Sequence, residues 1–398
     1  MKLEDYSVPI NKCSQCNFCQ AVCPIYKAQE SENWLARHRL NLINEVYLEK
    51  TMEESERFKD IMDKCLLCTS CTQYCSSKSP VDEIIISARE KIIEGEKKGL
   101  SSIKRGIMTK VFKEKGARNI TIKAGSLAQK FGLGGDAPKF VSKPFEERVE
   151  NLVKSKGEKK GTVAYYYGCG TNLMYPEIGE ALVNILSSNG YDIIVPKDIT
   201  CCGVPVIAEG EIADSAELMR NNIEALSKLE CDKVVMECSS CIMMFIKKAW
   251  KLFAADDPIQ EKITALNAKI VAGTGFLNTL FTEKISGKSM PSFTYHIPCH
   301  KDKFAPDKLD VVDFISTKTN AEYKPMNEPE LCCGGGGTYY LNNSEISKKI
   351  RSPKIEEIKN SQAEVVLTEC PICKFYLKNG APKGVDVLHP IEFIYKNM

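Results

Sequence analysis

Apolar residues in the first hundred positions recur at spacings of three and four, the spacing of one face of an α-helix. This pattern predicts helices over 34–47 and 53–64. A third apolar run begins at Val81 and Asp82 and continues toward a glycine near position 99, where a helix would end. We therefore expect the N-terminal region to be α-helical.

The hydrophobic pattern changes beyond residue 160. Short runs rich in β-branched and aromatic residues predict strands over 162–168, 192–195 and 233–237. Helical spacings lie between them, over 177–188 and 213–229. Alternation of strands and helices is typical of β-α-β units with a largely parallel sheet, so we expect the C-terminal region to be α/β.

Cysteine usage narrows the class of chemistry. The chain has 19 cysteines in 398 residues, an odd number that cannot all pair as disulfides. Its first residues lack the apolar core of a secretory signal, and it has no run of 18 apolar residues that could span a membrane. We therefore expect a cytoplasmic protein with no membrane-spanning segment, in which the cysteines hold metal.

The cysteines divide the chain into regions. Eight lie in residues 1–96, none in 97–160, and eleven in 161–398. The region 97–160 is a basic connector, with 17 Lys and Arg against 6 Asp and Glu. It is interpreted either as a solvated linker or as a cationic amphipathic helix that docks on an acidic partner or an anionic membrane. No recognition module accompanies the basic run, so we expect no nucleic-acid binding.

The eight N-terminal cysteines form two identical runs, Cys-x2-Cys-x2-Cys-x3-Cys. This is the spacing of bacterial ferredoxins, in which the fourth cysteine ligates the other cluster. We therefore assign two cubane 4Fe–4S clusters, one to Cys13, Cys16, Cys19 and Cys75 and the other to Cys65, Cys68, Cys71 and Cys23. Pro24 follows the first run, whereas Ser76 occupies the matching place after the second. Zinc is the alternative metal, although zinc sites usually take their ligands in pairs.

An internal repeat organises the remaining cysteines. Five of them recur at offsets of 130 to 132, and the pairs are Cys169 with Cys299, Cys201 with Cys332, Cys202 with Cys333, Cys238 with Cys370 and Cys241 with Cys373. This repeat predicts two homologous halves, 161–285 and 286–398, that pack about a pseudo-twofold axis with the cysteine sets near their interface. A glycine follows each cysteine pair, Gly203 and Gly334, where the backbone can approach an inorganic cluster closely.

These Cys-Cys-Gly (CCG) motifs resemble those of heterodisulfide reductases. Over nearly its whole length the chain is similar to the fused iron–sulfur subunit of that family, in which a ferredoxin-like part and a CCG part are joined in one polypeptide. The resemblance implies a multidomain fold: a helical ferredoxin-like module with two 4Fe–4S clusters (1–96), the basic connector (97–160), and an α/β region of two repeated CCG subdomains (161–285 and 286–398). It also implies two non-cubane 4Fe–4S clusters, each held by the five thiolates of one complete motif. The implied ligands are Cys169, Cys201, Cys202, Cys238 and Cys241 in the first half and Cys299, Cys332, Cys333, Cys370 and Cys373 in the second.

The resemblance further implies reduction of a heterodisulfide, of the coenzyme M–coenzyme B class, to two thiols. Cleaving a disulfide takes two electrons and iron–sulfur clusters carry one at a time, so two clusters facing one cavity suit the reaction. The implied electron donor is a membrane cytochrome b subunit, which would hold the chain at the inner face of the membrane, or a flavoprotein. The alternative function is an electron-relay subunit of a flavoprotein complex of the glycolate or lactate oxidase, electron-transfer flavoprotein or benzoyl-CoA reductase type, without disulfide chemistry. A second alternative is a structural protein with zinc in the cysteine sites.

Three further residues are singled out by their position. His300 follows Cys299 directly and is the candidate catalytic residue, as a proton donor to a departing thiolate. The alternative interpretation of His300 is a helix N-terminal residue with no catalytic role. His296 is interpreted as structural, and Cys231, which belongs to no set, as a buried small hydrophobic residue.

Overall fold

The computed structural model describes residues 1–96, 100–118, 120–122, 138–285 and 289–398. Helices fill the first region, as the apolar spacing predicts, and they are Ser7–Asn11, Phe18–Val22, Pro24–Gln29, Ala36–Ile43, Glu56–Asp63, Ser70–Gln73 and Val81–Gly95. A π-helical turn, Asn44–Leu48, continues one of them. The helix predicted over 34–47 begins late, because Glu32–Trp34 forms a separate 3-10 turn and Leu35 is extended.

The helix Val81–Gly95 joins the N-terminal module to the rest of the molecule. Pro80 precedes it, and Asp82 in its first turn suits the positive end of the helix dipole. Its apolar residues, among them Ile84 and Ile85, are buried. Burying one such side chain contributes about 1.5–3 kcal/mol, so this helix anchors the core that the two regions share.

The connector contains a docked helix, Leu100–Lys113. Arg105 pairs with Glu211 at 3.2 Å, and Lys113 pairs with Asp214 and Glu217 at 2.6 Å each. The solvated-linker interpretation is therefore wrong for this stretch, because the basic side chains neutralise acidic residues of the first C-terminal half. Residues 97–99, 119 and 123–137 of the connector lie outside the described residues.

The first C-terminal half is built on a five-stranded sheet. Its strands are β1 Leu152–Val153, β2 Gly161–Tyr165, β3 Tyr191–Ile194, β4 Lys233–Met236 and β5 Ile270–Ala272, in the order β1-β3-β2-β4-β5. β1 pairs antiparallel with β3, and the other pairs are parallel. Its α-helices are Cys169–Leu173, Pro176–Ser188, Val204–Ile207, Ile212–Ser227, Ser239–Met243, Ile259–Asn267 and Gly273–Leu280.

The second half repeats the plan with a smaller parallel sheet, β6 Phe293–Tyr295, β7 Val365–Leu367 and β8 Asp386–Leu388, in that order. Its α-helices are Asp310–Lys318, Tyr339–Asn342, Ser344–Ser361, Pro371–Lys378 and Pro390–Asn397. The predicted α/β alternation is confirmed in both halves. Within the described ranges, no helix has both the length and the apolar character that crossing a bilayer would require.

Candidate functional site

The two N-terminal cysteine runs interleave as the ferredoxin spacing predicts. One small cavity is lined by Cys13, Cys16, Cys19 and Cys75. A second cavity is lined by Cys65, Cys68, Cys71 and Cys23. Cys71 borders both cavities, so the two cysteine groups are neighbours. The structure thus brings together the two ligand sets that we assign to cubane clusters.

The loops of both runs carry the same unusual backbone. Gln15 and Asn17 flank Cys16 with φ of 53° and 66°, and Leu67 and Thr69 flank Cys68 with φ of 52° and 59°. Residues other than glycine seldom adopt positive φ, and such outliers collect at functional sites. The repetition of this conformation at equivalent positions indicates that both loops are shaped to enclose the same kind of group.

The first CCG set lies at the carboxyl ends of the strands of the larger sheet. Cys169 begins a helix after β2, and Cys238 caps the helix Ser239–Met243 after β4. The Cys201 and Cys169 sulfur atoms are 3.4 Å apart. Hydrogen bonds with Cys201 and Cys241 lower the pKa of the Cys202 thiol well below its usual range. The structure therefore gathers these five cysteines into one group, of which all but Cys169 are buried.

The second CCG set has the same arrangement at the smaller sheet. The Cys333 and Cys373 sulfur atoms are 3.2 Å apart, and Cys370 caps the helix Pro371–Lys378. Two backbone N–H groups point at sulfur, from Gly334 to Cys332 at 3.3 Å and from Gly335 to Cys333 at 3.4 Å. N–H groups directed at sulfur are how proteins stabilise thiolates and cluster sulfides.

Gly334 shows why a glycine follows each cysteine pair. Its φ is +84°, and a Cβ there would lie 2.6 Å from the carbonyl oxygen of Ser347. Gly203 in the first half has φ of +90° and is crowded in the same way by Ser215. The turn that presents each cysteine pair therefore depends on the absence of a side chain.

The two CCG sets meet each other, as the repeat predicts. A hydrogen bond with Cys238 of the first set lowers the pKa of the Cys370 thiol of the second. Gly170 packs so closely on Pro371 that a Cβ would lie 2.5 Å from the proline Cβ. The ends of the two cysteine-bearing helices are thus in direct contact across the interface between the halves.

The second set also adjoins the ferredoxin module. Burial raises the pKa of Cys299 well above its usual range, and the neighbouring Cys68 thiol adds to this effect. A hydrogen bond with Cys333 and burial raise the pKa of Cys332 well above its usual range, and Cys68 adds to this effect. The Thr69 hydroxyl donates to the Cys299 carbonyl oxygen at 3.1 Å. The second set therefore lies between the ferredoxin cysteines and the first set.

His300 lies where the three cysteine-bearing modules come together. Its Nδ1 is 2.9 Å from the Ser240 hydroxyl, between Cys238 and Cys241 of the first set, and its Nε2 is 3.2 Å from the Leu67 carbonyl oxygen of the ferredoxin loop. A carbonyl oxygen only accepts, so Nε2 carries a proton and donates it there. When the ring is neutral, Nδ1 therefore accepts from Ser240.

Two functional candidates escaped prediction from the sequence. His296, which the sequence suggests is structural, is buried within 4.8 Å of the Cys333 and Cys373 sulfur atoms, and neither ring nitrogen has a hydrogen-bond partner among the described residues. Lys354 is completely buried, and burial lowers its pKa to about 8 despite the opposing effects of Glu357 and Cys333. The signal that could have found His296 is its place three residues before Cys299. Lys354 gives no such signal in the sequence.

The donor set fits iron–sulfur clusters. The four groups contain four, four, five and five cysteines, all with sulfur donors, and buried N–H groups face them. Zinc sites close with four ligands, so the five-cysteine groups do not suit zinc. Cys231 stands apart from every group and is half-buried, and burial raises its pKa.

Comparison with family models agrees with this arrangement. Residues 9–79 match a 4Fe-4S dicluster domain, and residues 163–246 and 293–378 each match a cysteine-rich domain, CCG. The predicted order of one ferredoxin-like domain followed by two CCG domains is confirmed.

Curated relatives resemble the chain over most of its length. A probable glycolate oxidase iron-sulfur subunit of Bacillus subtilis is 26% identical over 92% of this chain and 88% of the relative. A fumarate reductase (CoM/CoB) subunit of Methanothermobacter marburgensis is 22% identical over 99% of this chain and 74% of the relative. Lactate utilization protein A of Geobacillus thermodenitrificans is 30% identical over 52% of this chain and 85% of the relative.

Proposed function

This chain belongs to the family of CCG-domain iron–sulfur proteins that includes lactate utilization protein A, and from that membership we propose that it is the electron-relay subunit of an oxidoreductase complex. Two relatives that match nearly the whole chain are named as subunits of a glycolate oxidase and of a fumarate reductase. The proposed task of the chain is to carry electrons between a partner protein and its own CCG sites.

One observation carries this proposal: the cysteine groups form an unbroken series. Cys71 borders both ferredoxin cavities, Cys68 neighbours Cys299, and Cys370 neighbours Cys238. Iron–sulfur clusters bound in these groups would supply one-electron oxidation and reduction. The protein holds the groups in sequence and buries eight of their eighteen cysteines.

The outer end of the series suggests where a partner docks. Cys16 is the one exposed cysteine of the nineteen, and the neighbouring Phe18 is 54% exposed. Exposed aromatic side chains are enriched in protein interfaces. We propose that the electron donor, a flavoprotein or a membrane cytochrome b subunit, docks over Cys16 and Phe18.

His300 is proposed as a positioning residue. Its two ring nitrogens hold Ser240 of the first half and Leu67 of the ferredoxin loop, and it follows Cys299 in the chain. It therefore ties three cysteine groups together at fixed distances. The role of proton donor to a departing thiolate stays a prediction, and it requires His300 to release one of these two contacts.

The relay proposal can be tested by the order of reduction. The protein is mixed anaerobically with reduced methyl viologen, and cluster bleaching is followed by stopped-flow absorbance with freeze-quench EPR. In Cys71→Ser the CCG sites should be reduced about tenfold more slowly, since distance and driving force govern electron transfer and the middle of the series is lost. Equal rates in this variant and the wild type would show that electrons bypass the ferredoxin module.

The second candidate function is reduction of a disulfide at the CCG sites, in the heterodisulfide reductase manner. It is favoured by the completeness of both five-cysteine sets and by their contact at Cys238 and Cys370. The reaction takes one disulfide, two electrons and two protons and releases two thiols, so both electrons must come from the partner. The mixed disulfide of coenzyme M and coenzyme B is the proposed substrate class.

Disulfide chemistry has its own spectroscopic test. The reduced protein is oxidised anaerobically with and without a thiol substrate, and EPR spectra are compared. A paramagnetic signal that appears with coenzyme M or coenzyme B, and not with unrelated thiols, would support disulfide reduction. About sixteen iron atoms per chain with no thiol-dependent signal would leave the relay as the whole function.

A further inference from the structure

The repeat lets each residue around the second CCG set be compared with a counterpart in the first. Ser215 and Ser347 show that the correspondence extends beyond the cysteines. Each hydroxyl donates to the carbonyl oxygen of the glycine after its cysteine pair, Gly203 at 3.3 Å and Gly334 at 2.6 Å. The offset between these serines is the one that relates Cys238 to Cys370.

Lys354 corresponds to Asn222 by the same offset. Asn222 is neutral and fully satisfied, since it accepts from the Thr200 N–H at 2.7 Å and donates to the Cys201 carbonyl oxygen at 3.0 Å. Lys354 donates to the Glu328 carbonyl oxygen at 2.7 Å, and the described part of the chain places no carboxylate within ion-pairing distance of it. Burial lowers the pKa of Lys354, and Glu357, Cys333 and Cys332 oppose that effect, so its ammonium group lies within electrostatic reach of the second set.

Two more positions show the same difference. Lys303 is 5% exposed, and its ammonium group donates to the Ser70 hydroxyl at 2.9 Å. Its counterpart is the apolar Leu173. His296 has unpartnered ring nitrogens among the described residues, whereas its counterpart Tyr166 donates to the Thr200 carbonyl oxygen at 2.9 Å. The second set therefore has the buried Lys303 and Lys354 nearby, where the first set has the uncharged Leu173 and Asn222.

A cavity of about 480 Å³ opens beside the second set, between the ferredoxin module and the second half. Cys332 and the buried Lys303 line its inner part, and two exposed lysines, Lys27 and Lys349, line its outer part. Neither outer lysine has an ion-pair partner among the residues that the structure describes. By contrast, Lys308 in the same cavity is paired with Glu330 at 3.2 Å.

We propose that this cavity is the binding site of a small anionic thiol or disulfide and that the second CCG set, not the first, meets it. The outer lysines attract the anionic tail, and the cavity is within the size range of small-molecule sites. Lys303, which lines the cavity together with Cys332, supplies positive charge where a thiolate sulfur would arrive. The inference deepens the second candidate function and rests on it for the redox role of the cysteine set.

Calorimetry on the anaerobically purified holoprotein tests the binding part. The probe is mercaptosuccinate, with succinate as an anion that lacks sulfur and 2-mercaptoethanol as a thiol that lacks charge. Mercaptosuccinate should bind, and its affinity should fall about tenfold in the Lys27→Ala/Lys349→Ala protein, because two attractive charges are removed. Lys262→Ala, which changes an exposed lysine on the helix Ile259–Asn267, is the matched control and should bind as the wild type does.

Two results would overturn the proposal. One is equal affinity for mercaptosuccinate and 2-mercaptoethanol, and the other is unchanged affinity in the double lysine variant. EPR then identifies which of the two CCG sets the ligand contacts. Mercaptosuccinate should perturb the signals of oxidised wild-type protein and of Cys202→Ser but not those of Cys333→Ser, and the opposite pattern would assign the ligand to the first set. Lys303→Gln, which keeps every cysteine and changes a lysine that lines the cavity, should also weaken the perturbation.

The same samples separate this inference from the relay proposal. The double lysine variant changes no cysteine, so its clusters should be reduced by methyl viologen at the wild-type rate. If the wild-type clusters are reduced at the expected rate but the wild-type protein does not bind mercaptosuccinate, only the inference about the cavity is contradicted. Anion binding together with a Cys71→Ser protein that is reduced at the wild-type rate would contradict the relay alone.

Discussion

The His300 imidazole of the second half contacts the Ser240 hydroxyl of the first half at 2.9 Å, between the two cysteines that close the first CCG set. Its other ring nitrogen reaches the Leu67 carbonyl oxygen of a ferredoxin loop at 3.2 Å. The counterpart of His300 in the first half is Gly170, which packs against Pro371 with no side chain between them. The two halves are thus related by repetition, but His300 gives the second half a polar link to the ferredoxin module that Gly170 cannot give the first.

His300→Ala should remove this link without removing a cysteine. Loss of two partly buried hydrogen bonds should cost about 1–3 kcal/mol of stability, seen as a lower unfolding temperature. Electron transfer from the ferredoxin clusters to the CCG sites should also slow, measured by freeze-quench EPR. A positioning role predicts partial rescue by His300→Gln, whose amide can still donate to Leu67. If the rate of electron transfer in His300→Ala equals that of the wild type while the unfolding temperature is lower, His300 has only a structural role.

Cys333→Ser should lower the iron content by about four atoms of about sixteen per chain, because one thiolate of the second set is replaced by a poorer ligand. The ferredoxin clusters should remain reducible, since no ligand of theirs has changed. If disulfide reduction occurs at the second set, that activity should vanish.

Cys231→Ser is the matched control for this variant. Cys231 lies outside all four cysteine groups, so its replacement should leave iron content and EPR spectra unchanged. Loss of iron from the Cys231 variant would mean that a fifth arrangement of ligands exists. Full iron content in Cys333→Ser would remove Cys333 from the ligand set.

Spacing along the chain was enough to predict which cysteines come together. The ferredoxin spacing predicts the cysteines that share a loop, and the offset of 130 to 132 predicts the cysteines that follow equivalent strands. The structure brings the same cysteines together. The sequence could not predict Lys354, because its proximity to the second set arises from one buried helix face, nor could it predict that Ser70 of the ferredoxin module is the partner of Lys303. The sequence offered a docking helix as one of two alternatives for the connector, but it could not show that the acidic partners belong to the same chain. The partners of Arg105 and Lys113 lie about a hundred residues away.

Lys248 shows how the ferredoxin module is attached to the first half. Its ammonium group is 2.5 Å from both Asp82 and Glu83, and all three side chains are buried. Burial opposes ionisation of Asp82, but Lys248 outweighs it and lowers the pKa of that carboxyl group. The Asp82 contribution to stability is therefore present at neutral pH and is lost as the pH falls through the lowered folded-state pKa.

Lys248→Met should destabilise the protein by about 3–5 kcal/mol at neutral pH, because the buried Asp82 loses its counter-charge and the buried Glu83 keeps only Lys251. The difference from the wild type should shrink as the pH falls, since protonated carboxyl groups no longer need a cation. Thermal unfolding at a series of pH values measures both effects. Lys251→Met is the control, because Lys251 is only partly buried and contacts Glu83 alone, so its loss should cost about 1 kcal/mol or less. If the loss of stability in Lys248→Met does not depend on pH, its cause is a packing defect and not the loss of charge.

Alanine substitutions at Gly334 and Gly337 separate the effect of steric crowding beside the second cysteine pair from the effect of backbone strain. Both have positive φ, +84° and +66°, so alanine strains the backbone at either position by about 1–2 kcal/mol. A Cβ at Gly334 would meet the carbonyl oxygen of Ser347 at 2.6 Å, whereas a Cβ at Gly337 meets nothing within 4 Å. Gly334→Ala should therefore cost about 1–3 kcal/mol more than Gly337→Ala, because the helix that carries Ser347 must move. It should also lose iron from the second set, since the displaced turn holds Cys332 and Cys333. Equal unfolding temperatures and equal iron contents in the two variants would show that this turn tolerates a side chain, and the presentation of the cysteine pair would then depend on the cysteines alone.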